Sequence, residues 1–349
     1  MRNFKHHLWS GVVIFLMVSS MVMIMAASPA HAIVLKIATI SPDGSGWMKM
    51  MRQGTDEVAR KTASRVRFKF YPGGVMGDNK AVLRKIRIGQ LQGGMLTSGS
   101  LTQFFPDNQI YNLPIVFNTF DEVDYVRSRM DQTIIDGFRQ GGFVTFGLAE
   151  GGFAYIMSKA PIKTIDDLRQ HKIWVPEDDA ISLESARALG VTPIPLSLAE
   201  VRTALQTGLI DTVATSPIGA IALQWYTQVN YLTEVPLLYI YAVISVDRKA
   251  FEKISSEDQK IVSDVIGRVF KEIDRQNRED NIKALDTLRN QGIEFVKLDN
   301  SELKTWKKLA SSVPQQMVKS GKLSQDMLNK LEKHLNDYRA KGSESDGQN

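Results

Sequence analysis

The chain has 349 residues, and its 43 lysines and arginines against 38 aspartates and glutamates give a formal net charge of +5. So small an excess excludes a protein that binds nucleic acid through a strongly basic surface. Cysteine is absent, which excludes disulfides, thiolate catalysis and a lipid-modified cysteine at the mature terminus. This length predicts two domains, each with its own core.

Residues 1–32 are predicted to be a secretory signal peptide. Arg2 and Lys5 precede an apolar run over residues 8–27, and the small-residue pattern Ala30-His31-Ala32 follows it. Cleavage after Ala32 is expected to release the protein into a bacterial periplasm. Retention as a membrane anchor is the alternative, because the apolar run is long for a cleaved signal.

The segments after the signal alternate between strand and helix patterns. Residues 34–40 form an apolar strand pattern, and the loop SPDGSG leads into a helix that ends near Lys61. Residues 66–70 alternate apolar and basic side chains, which is typical of a strand with one buried face. A helix over residues 79–88 and a strand near residues 95–97 complete the order of an α/β lobe with a mainly parallel sheet.

Two apolar segments are predicted to cross between lobes. The first, over residues 143–158, reads as two strands back to back around Glu150, and the second covers residues 237–246. With these crossings the predicted division is lobe I at 33–150 plus 243–280, and lobe II with the C-terminal helices at 151–242 plus 281–340.

Helix signals are clear in the second half of the chain. Ser197 with Glu200 three residues later forms a capping-box pattern, and Gly208 follows the predicted helix. A helical stripe of apolar residues begins after Ser256, which is predicted to cap it. The polar tail over residues 341–349 is predicted to be disordered.

Candidate catalytic residues are few. Outside the signal the histidines are His171 and His334, both in charged surroundings, and no metalloprotease, serine hydrolase or phosphate-loop motif is present. The acidic run of residues 177–179 follows Pro176 and opens a helix, where the helix dipole favours negative charge. The sequence therefore predicts no enzyme, no cofactor and no metal site.

Several motifs follow one another between about Leu35 and Gly292: YPGGVMGD, RIGQLQGG, NLPIVF, IKTIDDLRQHKIWVP, PLSLAEVRTALQTGLID and TSP. In this order they resemble the extracytoplasmic solute-binding subunit of tripartite ATP-independent periplasmic (TRAP) transporters. The resemblance implies a two-lobed α/β periplasmic fold with a ligand cleft between lobes, crossing strands at the hinge and long C-terminal helices. It also implies closure on a small-molecule solute and delivery to membrane permease subunits.

The sequence departs from that family where the resemblance places the solute. Members that carry organic acids usually have an arginine at the position of Trp174, and often a second one at the position of Ala154. Their Q-E-N-P motif is replaced by Ala214-Thr215-Ser216-Pro217. Without a bidentate guanidinium, an enclosed carboxylate would lack its usual compensation, so we expect an apolar or amphipathic solute.

Aromatic residues of the crossing strands are predicted to form the cleft wall with Trp174. Strand alternation puts either Tyr239 and Tyr241 or the intervening Ile240 on the cleft face. The predicted solute-binding residues are Trp174, Ala154, Phe153, Tyr155, Ser216, Thr215, Trp47, Tyr239, Tyr241 and Arg202.

The sequence is also compatible with other functions. Arg202 on the predicted 197–208 helix offers a replacement contact for an organic acid. Alternatively, the aromatic wall with Glu177 or Asp179 forms a cage for a cationic solute. A different class of role is a periplasmic sensor or adaptor, and a helical-repeat periplasmic protein is a further predicted partner.

Overall fold

The computed structural model describes residues 32–346, with side chains described through Lys341. The predicted signal peptide up to residue 31 and the last three residues lie outside this range. Within it, no helix combines the length and the apolar character that crossing a membrane requires.

Strands and helices alternate through the first two thirds of the described chain, and helices dominate the remainder. The strands are β1 (Ile33–Ala38), β2 (Val66–Tyr71), β3 (Gly93–Thr97), β4 (Phe143–Val144), β5 (Ala149–Ser158), β6 (Trp174–Pro176), β7 (Ile194–Leu196), β8 (Thr212–Thr215), β9 (Tyr231–Asp247) and β10 (Glu294–Val296). The helices are α1 (Gly46–Lys61), α2 (Asn79–Arg87), α3 (Phe120–Gln140), α4 (Ile165–Arg169), α5 (Ala180–Ala188), α6 (Val201–Thr207), α7 (Pro217–Ala222), α8 (Arg248–Phe251), α9 (Ser256–Asn290), α10 (Asn300–Ala310), α11 (Val313–Lys319) and α12 (Gln325–Asp346).

One large sheet with the order β2-β1-β3-β9-β5-β8 joins the two lobes. Strands β1, β2 and β3 pair in parallel, as the β-α-β-α order predicts, whereas β9 is antiparallel to both β3 and β5. The first residues of the 17-residue β9 pair with β10, and its last residues pair with β3 and β4. Strand β9 therefore passes from lobe II into lobe I, as predicted for residues 237–246.

The other crossing strand, β5, differs from its prediction. Instead of two strands back to back, one strand continues through Glu150 with a register shift between Glu150 and Gly152. Gly152 has φ of 87°, and a Cβ there would lie 2.6 Å from Nδ2 of Asn281. The crossing therefore requires glycine at this position, for its backbone conformation and for the close approach of α9.

Helix α9 has 35 residues and extends about 50 Å, enough to contact both lobes. Its first half packs Val262, Ile266 and Val269 against β1 and α1, and Leu288 near its end joins the core of lobe II. The helix is capped by Ser255, whose hydroxyl accepts from the backbone N–H of Asp258, so the predicted cap at Ser256 is displaced by one residue.

Two further predictions of helix limits need correction. Helix α6 begins at Val201 rather than directly after Ser197, because the Ser197 hydroxyl and N–H donate to Glu200 in a separate turn. Helix α12 continues to Asp346, into the tail that was predicted to be disordered.

The C-terminal helices divide between the two lobes. Trp306 of α10 packs in the core of lobe II. By contrast, Leu328 and Leu331 of α12 share a core with Val123 and Met130 of α3, in lobe I. The predicted grouping of residues 281–340 with lobe II is therefore wrong for α12, whose apolar face is buried by the first lobe.

An ion pair fixes the start of α9 to the edge strand of lobe I. Nε and Nη2 of Arg65 donate to the two oxygens of Asp258 over 2.8 and 2.7 Å, and Asp258 is 2% exposed. The Arg65 hydrogen bonds lower the pKa of Asp258 below its ordinary value of 3.8. Because the folded-state pKa is the lower one, this stabilisation is present above pH 3.8 and is lost as the pH falls through the folded-state value.

We expect Asp258→Asn to lower the free energy of unfolding at pH 7 by about 1.5–3 kcal/mol, the range for hydrogen bonds to charged groups. The difference from the parent protein should shrink as the pH falls from 5 to 3. Urea unfolding followed by circular dichroism measures both. Asp264→Asn, on an exposed turn of the same helix, is the control and should change stability little. An equal loss at every pH would contradict the assignment.

Candidate functional site

A cavity of about 390 Å³ lies between the two lobes. Lobe I contributes the loop after β1 and the start of α1, lobe II contributes β6, α5 and β8, and the crossing strands β5 and β9 form its floor with α9. The volume is within the range of about 300–1,000 Å³ that small-molecule sites occupy. The cavity is therefore the candidate solute site.

Trp174 lies on the cavity wall. Its indole N–H donates to the Leu196 carbonyl over 3.0 Å, across the β6–β7 pair, and the side chain is 4% exposed. The ring meets that of Trp225 edge to face, with centroids 5.2 Å apart, and Trp225 also lines the cavity. The hydrogen bond leaves the carbon surface of the indole as the group that a solute can contact.

Aliphatic side chains complete most of the wall. They come from β5, β6, β9 and the helices and turns of lobe II, namely Ile156, Leu168, Ile173, Val175, Leu189, Val191, Leu198, Leu237, Leu238 and Ile240. A wall of this composition offers van der Waals contact and removal of water, the two terms that favour an apolar solute.

The predicted aromatic wall from the crossing strands is largely wrong. From residue 238 onward, Leu238, Ile240, Tyr241 and Ala242 line the cavity, whereas Tyr239 does not. Both tyrosines pack in the core between the sheet and α3. The alternation rule correctly puts the two tyrosines on one face, but that face packs against lobe I helices. Tyr241 borders the cavity, with its hydroxyl donating to the Asn108 carbonyl.

Three other predicted residues also lie behind the wall rather than on it. Phe153 packs between Phe120 and Tyr239, with ring centroids 4.8 and 5.8 Å away, and meets Tyr239 edge to face. Tyr155 packs beside the same cluster. Ala154 is 1% exposed within the core of lobe II. Their strand continues the β9 pattern, because Phe153 pairs directly with Tyr239.

Trp47, Thr215 and Ser216 do line the cavity. Trp47 is in the first turn of α1, and the Ser216 hydroxyl caps α7 by accepting from the Gly219 N–H over 3.3 Å. Arg202 is exposed on α6, whose buried face carries Val201 and Leu205, and it does not reach the wall.

The charged residues of the described chain that line the cavity are all acidic. Within the described chain no lysine or arginine lines the cavity, whereas Glu150, Asp179 and Asp280 do. Burial raises the pKa of Tyr239 well above its ordinary value, so its hydroxyl stays protonated and donates to Oε2 of Glu150 over 3.1 Å. Arg278 donates to the same carboxylate, so the charge of Glu150 is compensated from behind the wall.

The mouth of the cavity carries contacts between the lobes. Lys80 at the start of α2 lies 2.9 Å from an oxygen of Glu177 and 3.3 Å from one of Asp178, both after β6. Burial in this contact raises the pKa of Asp178. Gln109 of lobe I donates to Oδ1 of Asp179 over 2.7 Å. These polar contacts hold lobe II against lobe I.

A cavity between two α/β lobes, closed by contacts across its mouth, is the architecture of a solute receptor. The family described as "Bacterial extracellular solute-binding protein, family 7" matches residues 37–320. The chain belongs to this family. It is a family of receptors rather than enzymes, and as TRAP receptors they work outside the cytoplasm with membrane permease subunits.

Known proteins are similar to this chain in sequence and in fold. The protein YiiZ of Salmonella typhimurium is 26% identical over 249 residues, 70% of this chain and 75% of that protein. A TRAP solute-binding protein from Pseudomonas putida F1 with bound D-glucuronate has a TM-score of 0.78 at 23% identity, covering 85% of this chain and 96% of that one. Another from Desulfovibrio salexigens, with orotic acid, has a TM-score of 0.80 at 19% identity, covering 87% and 99%.

Sequence reasoning missed several wall residues of this TRAP receptor. Trp225 is not among the predicted solute-binding residues, yet it lines the cavity beside Trp174, which its ring meets edge to face. Asn277 and Asp280 lie in a helix segment rich in charged residues, where nothing in the local pattern separates a wall residue from a solvated one.

We expect Lys80→Ala to shift the receptor toward open forms, because it removes the cation that faces Glu177 and Asp178 across the mouth. The absence of cysteine allows spin labels at Arg60→Cys in lobe I and Lys297→Cys in lobe II, whose distance double electron–electron resonance measures. Each exposed pair contributes about 0–1 kcal/mol, so we predict up to roughly a fivefold rise in the open population. Lys49→Ala on α1 is the control, and an unchanged distance distribution for Lys80→Ala would contradict the role.

Proposed function

We propose that this TRAP receptor binds an apolar or amphipathic solute rather than the organic acids of its structural neighbours. The observation that carries this proposal is the wall itself, which has Trp174 and aliphatic side chains but, in the described chain, neither lysine nor arginine. The solute is enclosed between the lobes and then delivered to the permease subunits.

The electrostatic argument is against an anion. A carboxylate enclosed in this cavity would give up its hydration without a guanidinium in return, at an effective cost of several kcal/mol. It would also approach Asp179 and Asp280, whose charges repel it. An apolar body gains about 25 cal/mol for each Å² of surface removed from water against Trp174 and its neighbours.

The ligands of the structural neighbours, D-glucuronate and orotic acid, do not predict the solute of this chain. At 23% and 19% identity they share the fold, while the solute is chosen by side chains on the wall. The resemblance puts an arginine of acid-binding members at the position of Trp174, and here an indole occupies that part of the wall.

The alternative of an organic acid held by Arg202 loses support from the structure. Arg202 is exposed, and the face of α6 toward the core is occupied by Val201 and Leu205. For Arg202 to reach an acid in the cavity, α6 would have to rotate and expose its buried apolar face to water. Arg202 is therefore better used as a control position.

The cellular setting follows the same proposal. Export by the N-terminal signal, with cleavage after Ala32, delivers the receptor to the periplasm beside its permease. A helical-repeat periplasmic protein stays a predicted partner, and a sensor or adaptor role stays the alternative of another class. The identity of the neighbouring genes distinguishes the transport role from the sensor role, since permease genes favour transport and a kinase gene favours signalling.

Native mass spectrometry of gently purified protein tests the proposal directly. We expect a bound small molecule that partitions into organic solvent and is released on unfolding. Recovery of a sugar acid or dicarboxylate, with tight rebinding of it in calorimetry, would overturn the proposal.

We expect Trp174→Ala to weaken binding of the recovered apolar solute at least about tenfold, because it removes the indole surface and the support of Trp225. Trp174→Phe should retain most of the affinity. Arg202→Ala is the matched control in lobe II and should leave the dissociation constant unchanged in calorimetry. Equal affinity in Trp174→Ala and the parent protein would place the solute elsewhere.

A further inference from the structure

The polar end of the solute is indicated by a charge on the cavity wall that the protein leaves uncompensated. Among the described residues, three carboxylates line the cavity, those of Glu150, Asp179 and Asp280. A carboxylate that already has a positively charged partner within the protein cannot bind a positive group of the solute. The partners of each carboxylate therefore decide which of them is available. We propose that Asp280 binds an organic cation, an ammonium or quaternary ammonium group on the apolar body; this inference rests on the proposed function.

Glu150 is satisfied by protein groups. Nη2 and Nε of Arg278 lie 2.5 and 3.2 Å from its two oxygens, and the Tyr239 hydroxyl donates to it as well. Arg127 adds a second guanidinium at 4.0 Å. With 1% of its side chain exposed and two arginines beside it, Glu150 has no capacity for a cationic solute.

Asp179 is also occupied. One of its oxygens accepts from the Ser182 N–H over 2.9 Å, as the cap of α5, and from the Gln109 amide over 2.7 Å. A carboxylate in this position is offset by the partial positive charge at the start of the helix. The two contacts hold Asp179 in a structural role at the mouth of the cavity.

Asp280 differs from both. It lies in the last third of α9, away from any helix start, and its one described hydrogen bond comes from the Gln276 amide over 2.8 Å. No lysine, arginine or histidine of the described chain lies within 4.0 Å of it, and the side chain is partly buried. A charge in this position loses hydration when a solute fills the cavity, and only a positive group on the solute restores the balance.

The surroundings of Asp280 complete a site for a positive group. Asn277, one turn earlier on the same wall, donates through its amide to the Glu150 carbonyl over 2.7 Å, and its side-chain oxygen accepts from none of the described donors. Trp47, Trp174 and Trp225 line the same cavity, and aromatic rings attract cations. The described residues contain no cluster of three or more metal-ligating side chains, so the cation is organic rather than a metal ion.

A panel of probes separates charge from apolar character. Each of several apolar bodies (indole-ethyl, phenyl-ethyl and unbranched alkyl chains of about six to ten carbons) is presented as an amine, an alcohol and a carboxylate. For the indole series these are tryptamine, tryptophol and indole-3-propionate. Thermal shift ranks the panel, and calorimetry on the full mature protein gives dissociation constants for the best series.

We expect the amine of the best series to bind at least about tenfold tighter than its alcohol, and the carboxylate to bind weakest. Asp280→Asn should abolish the preference, weakening the amine about tenfold while leaving the alcohol unchanged. Asp286→Asn is the control, the same substitution on an exposed turn of α9 beside Arg289, and it should leave all constants unchanged.

The outcomes distinguish this inference from the proposed function. Binding of alcohols with no preference for amines, or a preference that persists in Asp280→Asn, overturns the cation and leaves the apolar receptor standing. Preference for carboxylates, or stabilisation by no member of the panel, overturns both. If Asp280→Asn fails to fold, the amine-to-alcohol ratio of the parent protein still decides, because it needs no variant.

Discussion

Strand β9 is the constraint on which the rest of this receptor depends, because one strand belongs to both lobes. Its alternation sends Tyr239, Tyr241 and Val243 into the core beneath α3 and α12, and Leu238, Ile240 and Ala242 to the cavity. A shift of one residue in its pairing with β3 and β5 would exchange the two sets. Core packing therefore fixes the cavity floor, and the large aromatics serve stability while smaller aliphatic groups face the solute.

The arginines near the cavity floor also serve the stability of the fold. Arg127 of α3 donates to the Tyr239 hydroxyl and lies 2.9 Å from Asp274 of α9, while Arg278 compensates Glu150. This network joins α3, α9 and the crossing strands behind the floor. A buried charge without its partners destabilises the fold, so both arginines stay paired with these carboxylates and do not contact a solute. Among the described wall residues, Asp280 is a carboxylate with neither an ion pair nor a helix-capping contact.

The chain shares its architecture with its family, whereas the side chains on its cavity wall are its own. Receptors that hold D-glucuronate and orotic acid share their fold with this chain at 23% and 19% identity. Packing of the sheet against α1, α3 and α9 tolerates many apolar exchanges of similar volume, so the fold persists at such distance. The cavity has no such tolerance for charge, because an enclosed charge without a partner costs several kcal/mol.

The sequence by itself determined the β-α order, the crossing of β9, the absence of catalytic motifs and the place of Trp174 at the cavity. These features are carried by local periodicity and by motif order. Only the tertiary structure decided which face of β9 meets the cavity, that α12 packs on lobe I, and that Arg202 is remote while Asp280 lies on the wall. Periodicity shows which side chains share a face, but what covers that face depends on elements far away in the chain, such as α3, α9 and α12.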